Sequence, residues 1–411
     1  MANYFLTSIL IIFCLPAFVK GQTAVDTNKV SSPSTSAVLY IYGNAFANSN
    51  NISGKLTSAF IKGGYINEET KNTTLDRIKT KNRLGFEANY GVTFVKFSKK
   101  RRGAALGCYL RYNEGIYFSS TYNENAFRLF FYGNKQFEGQ TVDFSPLRFS
   151  LLSTRQIGGG AMLGKGKNKF WFGVDFVQGR QHTDVRATNT TFATAIDGND
   201  LTLTGDISIK QSVRPAYKAG YGFALNGQWF TDIKDKVYLN FMVDNLGLVF
   251  WGNNPTNFTR DTTLQFSGLN LNDVLESDSS WQAIQDSLSE ALLPTQKTQN
   301  YHTVLPFYLK ASATKYFNKF KISLIVDYRH MPGYIPRGVV HATYMGKWFM
   351  PSVSVMYGGY GGFNTGLGAG FVFGKGYSLY IESLLNEGWI APRNASGIGV
   401  GVKFYKTFLS R

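Results

Sequence analysis

Residues 83–118 read RLGFEANYGVTFVKFSKKRRGAALGCYLRYNEGIYF. Leu84, Phe86, Ala88, Tyr90, Val92 and Phe94 share one face of the first arm, and Arg83, Gly85, Glu87, Asn89, Gly91 and Thr93 share the other. A basic turn follows at 98–103. The return arm then sets Leu106, Cys108, Leu110 and Tyr112 against Gly107, Arg111, Asn113 and Gly115. Side chains of a strand alternate with period two, so this is a hairpin with one apolar and one polar surface. Its arms, at about 15 residues, exceed the 5–6 usual in globular sheets. Long strands joined by tight turns predict an all-β chain closed into a transmembrane antiparallel barrel, because an open edge cannot face hydrocarbon.

Working outward, the same alternation marks strands at 55–66, 147–163, 170–184, 216–230, 237–250, 307–317, 320–329, 337–345, 349–358, 362–374, 377–385 and 396–408. With the opening hairpin, the predicted barrel has fourteen strands. Its tight basic turns, at 98–103, 164–168, 231–236, 318–319, 346–347 and 375–376, fall at the same end as both termini, and the long polar loops fall at the other. That asymmetry predicts short periplasmic turns and long outer loops. Aromatics flank the tight turns, among them Phe97, Phe170, Trp171, Trp229, Phe317, Phe320, Trp348 and Phe373, as expected of rings at the headgroup level.

Residues 1–21 read as a signal peptide, with an apolar core broken by Pro16, although no Lys or Arg precedes that core. Its removal leaves Cys108 as the only cysteine, excluding an intramolecular disulfide. Residues 22–53 form an N-terminal segment that the sequence leaves open as a plug, a lid or a linker, and 54–411 form the barrel. The longest outer loop, 251–303, carries an expected helix: Trp281, Ile284, Leu288 and Leu292 lie at helical spacing, Ser279 with Gln282 resembles a capping box, and Pro294 closes the segment.

The 411 residues carry 16% aromatics, 43 glycines and 17% charged residues, which suits curved strands better than a soluble enzyme. Net charge is +17, but the basic residues sit in turns rather than on one helix or groove, so nucleic acid is not an expected partner. Gly159, Gly164 and Lys165 imitate a phosphate-binding loop, but Gly166 replaces the hydroxyl residue and a strand follows instead of a helix. His182, His302, His330 and His341 lack metal-ligand spacing, and the acidic loop residues Asp273, Glu276, Asp278, Asp286 and Glu290 match no calcium loop. No cofactor and no catalytic site are expected.

The candidate functional residues are charges on the polar faces: Arg83, Glu87, Arg111, Asp175, Lys218, Asp244, Lys310, Asp327, Arg329, Glu382 and Lys403. Lys or Arg facing lipid at the midplane costs roughly 2–4 kcal/mol, so these are expected to face the lumen, either as mutually satisfied ion pairs or as a polar conduit.

Residues 132–135 (YGNK), 139–145 (GQTVDFS), 266–270 (FSGLN) and 305–309 (LPFYL) resemble a family of Bacteroidota outer-membrane barrels known as a domain of unknown function. More distantly, the strand count is similar to that of the long-chain fatty-acid transporter barrels, although no plug motif aligns and Phe408 is not terminal. The strand and turn pattern predicts an outer-membrane location among lipids, and passage of a small or lipid-like solute, hydrophobic or polar, is the leading expectation, with the resemblance adding an analogy to lipid transport or secretion. The polar face is rich in Gly and carries charges of both signs, so space in a fourteen-strand lumen is left to water, to 22–53 or to the 279–293 helix, and obstruction by one of these segments is expected. The alternative is a non-transporting scaffold for a secretion or cell-surface complex.

Overall fold

The computed structural model describes residues 35–62, 65–101, 104–196, 200–213, 220–233, 237–252, 255–267, 299–374, 376–390 and 396–409. In chain order its strands are β1 (Thr35–Ser49), β2 (Asn82–Arg101), β3 (Ala104–Tyr122), β4 (Thr141–Asp143), β5 (Leu147–Lys165), β6 (Asn168–Thr194), β7 (Asp200–Val213), β8 (Gly220–Ile233) and β9 (Val237–Trp251). They continue as β10 (Thr256–Ser267), β11 (Tyr301–Val304), β12 (Tyr308–Phe317), β13 (Phe320–Arg329), β14 (Ile335–Tyr344), β15 (Phe349–Gly359), β16 (Phe363–Phe373), β17 (Tyr377–Leu385) and β18 (Gly397–Leu409). All join one sheet. Fourteen of them form the closed wall; β4, β7, β10 and β11 extend it at one rim. The barrel closes where β1 pairs with β2 on one side and β18 on the other, setting Tyr40 opposite both Thr93 and Tyr405.

The strand total matches the expectation, but its first member does not. Residues 55–66 are not a strand: Gly54–Lys62 is a helix, α1, whose Leu56 is buried against Ile52, Tyr122, Ala126 and Phe127. The first strand is β1, inside the segment read as a plug, lid or linker. Its inward residues include Val38 and Tyr40, as apolar as the outward Leu39 and Ile41, so the contrast between faces that marks the other strands is missing in its first half and begins only at the inward Asn44 and Asn48. Residues 1–34, which include the expected signal peptide, and the expected helix at 279–293 lie outside the described residues.

The stretches read as polar loops hold more order than expected. Beyond α1, the rim carries α2 (Glu68–Leu75) and α3 (Glu124–Tyr132). Asn67 and Asn123 cap them, each side-chain oxygen accepting a backbone N–H three residues on at 2.9 Å. Strand β6 runs 27 residues: up to Gly179 it pairs with β8, and past that it pairs with β7, which in turn carries β10. The wall thus continues past the rim as a small outer sheet.

Alternation decides the two faces. Leu110, Ile157, Phe172, Val174, Phe176, Phe223, Leu324, Val326, Val353 and Leu367 stand exposed on the outside, while their chain neighbours turn inward and are buried or half-buried. A band of exposed apolar side chains encircling a closed sheet is what a barrel presents to lipid. Cys108 is exposed on that face.

Candidate functional site: the interior of the barrel

The polar faces of β2, β3, β6, β9, β13, β17 and β18 converge inside the barrel, and the charges there meet one another. Arg111 on β3 donates from Nε to Asp175 of β6 at 2.8 Å, from Nη1 to Asp244 of β9 at 2.8 Å and from Nη2 to Asn226 of β8 at 2.7 Å. Asn226 in turn donates to Asp175 at 3.1 Å, and its side-chain oxygen accepts from the backbone N–H of Asn245. One guanidinium therefore ties together strands spread over a wide arc of wall, using its fixed fork of donors.

A second pair reaches farther. Glu87 on β2 and Arg329 on β13 approach to 2.8 Å, with side chains 1% and 6% exposed. In the order of the wall these strands lie seven places apart in a ring of fourteen, so the pair joins opposite walls. Arg329 also lies over the rings of Tyr117 and Tyr308, at 5.4 and 5.0 Å, and donates to the carbonyl oxygen of Pro306 at 3.2 Å. Nearby, Asp327 accepts from Arg337 at 2.8 Å and from the Tyr334 hydroxyl at 2.7 Å. Lys403 bonds Glu382 at 2.8 Å, and Lys310, also buried, sits opposite Asp327 in the β12–β13 register. These side chains form a charged septum across the lumen.

Arg83 lies nearer the long-loop rim, donating at 2.8 Å to the carbonyl oxygens of both Tyr360 and Gly361. The Tyr360 ring packs where a Cβ on Gly85 would stand, so glycine is required at that position for the β15–β16 connection to fold inward. Lys218 lies outside the described residues.

Above the charged septum, toward the long loops, lies an aromatic layer. Trp251 stacks against His182 at 5.4 Å and Tyr301 at 6.2 Å, over Leu152, Val177, Val249 and Leu305. The Tyr301 hydroxyl lies 2.9 Å from His182 Nδ1, and Trp251 donates to the Thr303 hydroxyl at 3.0 Å. Leu305 enters because β11 and β12 form one bent strand along β9, with Pro306 between them and the N–H of Leu305 bonded to Gly247. His330 stacks on Phe307 instead, and His341 bonds Thr343 near Glu382, so the four histidines do not converge.

Sequence reasoning missed Arg337, Tyr334 and the His182–Trp251–Tyr301 layer. Arg337 stands opposite Asp327 in the β13–β14 register, a signal available once those strands are paired. The aromatic layer carried none, since its members are spread over the three strands β6, β9 and β11.

A model for a family of unknown function, DUF5723, matches residues 30–382. No curated protein sequence matches the chain. Solved structures similar to it include the Pseudomonas putida toluene transporter TodX (11% identity, 95% of this chain and 93% of that one, TM-score 0.42). The Ralstonia pickettii toluene transporter TbuX matches at 11% identity, 95% of each chain and a TM-score of 0.43. A Pseudomonas aeruginosa FadL homologue matches at 8% identity, 91% and 90% coverage, and a TM-score of 0.41. Likeness at this level bears no weight on solute or mechanism.

Proposed function

Because the chain belongs to the DUF5723 family of unknown function, its role has to be read from its own interior, and we propose that it is an outer-membrane barrel passing a small or lipid-like solute through a lumen held shut by side chains. The observation that carries this is the chemistry of the obstruction. Buried ion pairs are often no more stabilising than apolar residues of the same volume. Apolar side chains of the same volume would fill the lumen of a rigid post equally well, whereas Glu87 and Arg329 meet across it as charges. Long charged side chains, however, can part by rotamer changes without any strand moving.

The two layers suit a solute with an apolar and a charged part. Entering from the long loops, it meets Trp251, Tyr301 and His182 first. The Arg111 network lies about 20 Å farther along β9, judged from the strand rise between Trp251 and Asp244. The long loops face outward and the short turns face the periplasm in this reading, as in other outer-membrane barrels.

The test is conductance of the purified full chain in planar bilayers, with solute uptake into proteoliposomes. Intact protein is expected to conduct weakly or intermittently, and Glu87→Ala with Arg329→Ala to conduct steadily. Large steady conductance from intact protein contradicts the closed lumen. A scaffold for a secretion or surface complex is the second reading, favoured by the near-complete burial of the Glu87–Arg329 pair. Silence and absence of uptake in every septum variant would establish it over passage.

A further inference from the structure

One charged cluster lies on the outside of the barrel. Outward residues of β3 have even numbers, among them Leu106 and Leu110, and Glu114 belongs to that set. Its carboxylate accepts from Arg155 Nε of β5 at 2.8 Å, from Arg180 Nη1 of β6 at 3.0 Å and from the Tyr112 hydroxyl. Tyr90 stands opposite it on β2. Arg155 is paired with Glu114 in the register, but Arg180 comes from two strands away. Arg180 keeps the outward parity of Phe170 to Gln178, and a bulge follows: Thr154 pairs with Gly179 and Ser153 with Gln181, so Arg180 is the extra residue and the next even residue, His182, turns inward.

The height of the cluster is set by the wall. Outward rings mark the short-turn end at Phe170, Trp229, Phe320 and Phe349. Eight residues farther along the same strands stand Gln178, Tyr221, Tyr328 and Tyr357. Glu114 and Arg155 stand eight residues from the outward Leu106 and Leu163. Eight residues of tilted strand rise ~20 Å, close to the ~25 Å height of a barrel's apolar band. The cluster therefore lies in the upper tyrosine girdle, at the headgroup level of the leaflet on the long-loop side.

Two guanidiniums there share one carboxylate, leaving a net charge of +1 on side chains 40% and 39% exposed beside Glu114 at 9%. Each arginine reaches Glu114 through one nitrogen of a five-donor fork, and both side chains keep two-fifths of their surface exposed on the exterior. Planar forks of this kind match phosphate oxygens. Exposed Leu110, Ile157 and Phe176 lie directly below and offer an apolar surface for acyl chains. We infer that Arg155 and Arg180 bind the phosphate of a lipid headgroup in that leaflet, with the tails lying along β3, β5 and β6. This rests on the barrel spanning a membrane and not on passage of any solute.

The test is native mass spectrometry of the full chain in detergent, titrated with dilauroylphosphatidic acid or with dilauroylglycerol, which has the same tails and no phosphate. Phosphatidic acid is expected to be retained about tenfold more tightly, and Arg155→Gln or Arg180→Gln each to reduce its retention about tenfold, the loss of a charge-assisted hydrogen bond. Both side chains are two-fifths exposed, so each single variant is expected to fold, checked by heat-dependent gel mobility. Equal retention of the two lipids, the result expected if the arginines serve only Glu114 or an acidic protein partner, overturns the assignment. So does a folded variant that keeps the wild-type preference, and so does displacement by inorganic phosphate at concentrations equal to the lipid. Septum variants with altered conductance leave this outcome unchanged, which separates the two readings.

Discussion

Removing Glu87 or Arg329 separately and together tests the septum most directly. Glu87→Gln leaves the Arg329 guanidinium buried with two tyrosine rings and the Pro306 carbonyl as remaining partners. Arg329→Gln leaves a carboxylate that is 1% exposed without its cation, and it also removes both ring contacts. Breaking a buried pair from one side costs about 3–5 kcal/mol. Glu87→Gln is expected at the lower end of that range, because cation–π contacts worth ~0.5–2 kcal/mol each survive. Arg329→Gln is expected at the upper end. The double variant buries no unpaired charge and is expected to cost less than either single change, giving a coupling energy of about 5 kcal/mol or more. Guanidinium unfolding of the protein refolded into lipid vesicles, followed by tryptophan fluorescence, measures the stabilities, and bilayer recordings of the same samples measure the opening. Additive single costs would mean that the two side chains do not interact across the lumen. A double variant that is stable and as silent as the parent would mean that they do not close it.

Leu324→Arg, at an exposed position midway along the outward face of β13, is expected to cost roughly 2–4 kcal/mol or to block assembly, whereas Ser323→Asn, pointing inward, is expected to be mild; equal damage would contradict the assignment of faces. Gly85→Val must displace the Tyr360 ring, with an expected overpacking cost of about 1–3 kcal/mol and a change in near-ultraviolet dichroism; an unchanged spectrum and midpoint would refute that contact. A protease site inserted at Ile196 is expected to be cut on intact cells and one at Gly166 to be protected, and the reverse pattern would invert the barrel. Deleting 277–294 is expected to leave conductance low, since the septum belongs to the wall; a steady open channel from that deletion would transfer the obstruction to the outer loop.

Much of this protein is legible in one dimension. Period-two alternation with charge and glycine on one face and leucine and phenylalanine on the other is a local property, repeated from residue 83 onward. It defined the barrel, thirteen of its strands and the end at which the tight turns lie. The same rule failed at β1, where tyrosine and valine face inward in the first half and blur the two faces, and at α1, whose apolar residues were read with the wrong period. It also could not say which charges meet. Glu87 and Arg329 are 242 residues apart, and their contact depends on strand order, register and the width of the closed ring, none of which leaves a mark near either residue. Arg180 and Glu114 are outward charges that counting faces places correctly but that only the position of the tyrosine girdle explains. Strand identity is set by neighbours two residues away in sequence. The partners of a side chain inside a barrel are set by closure, which brings together strands that the chain visits far apart.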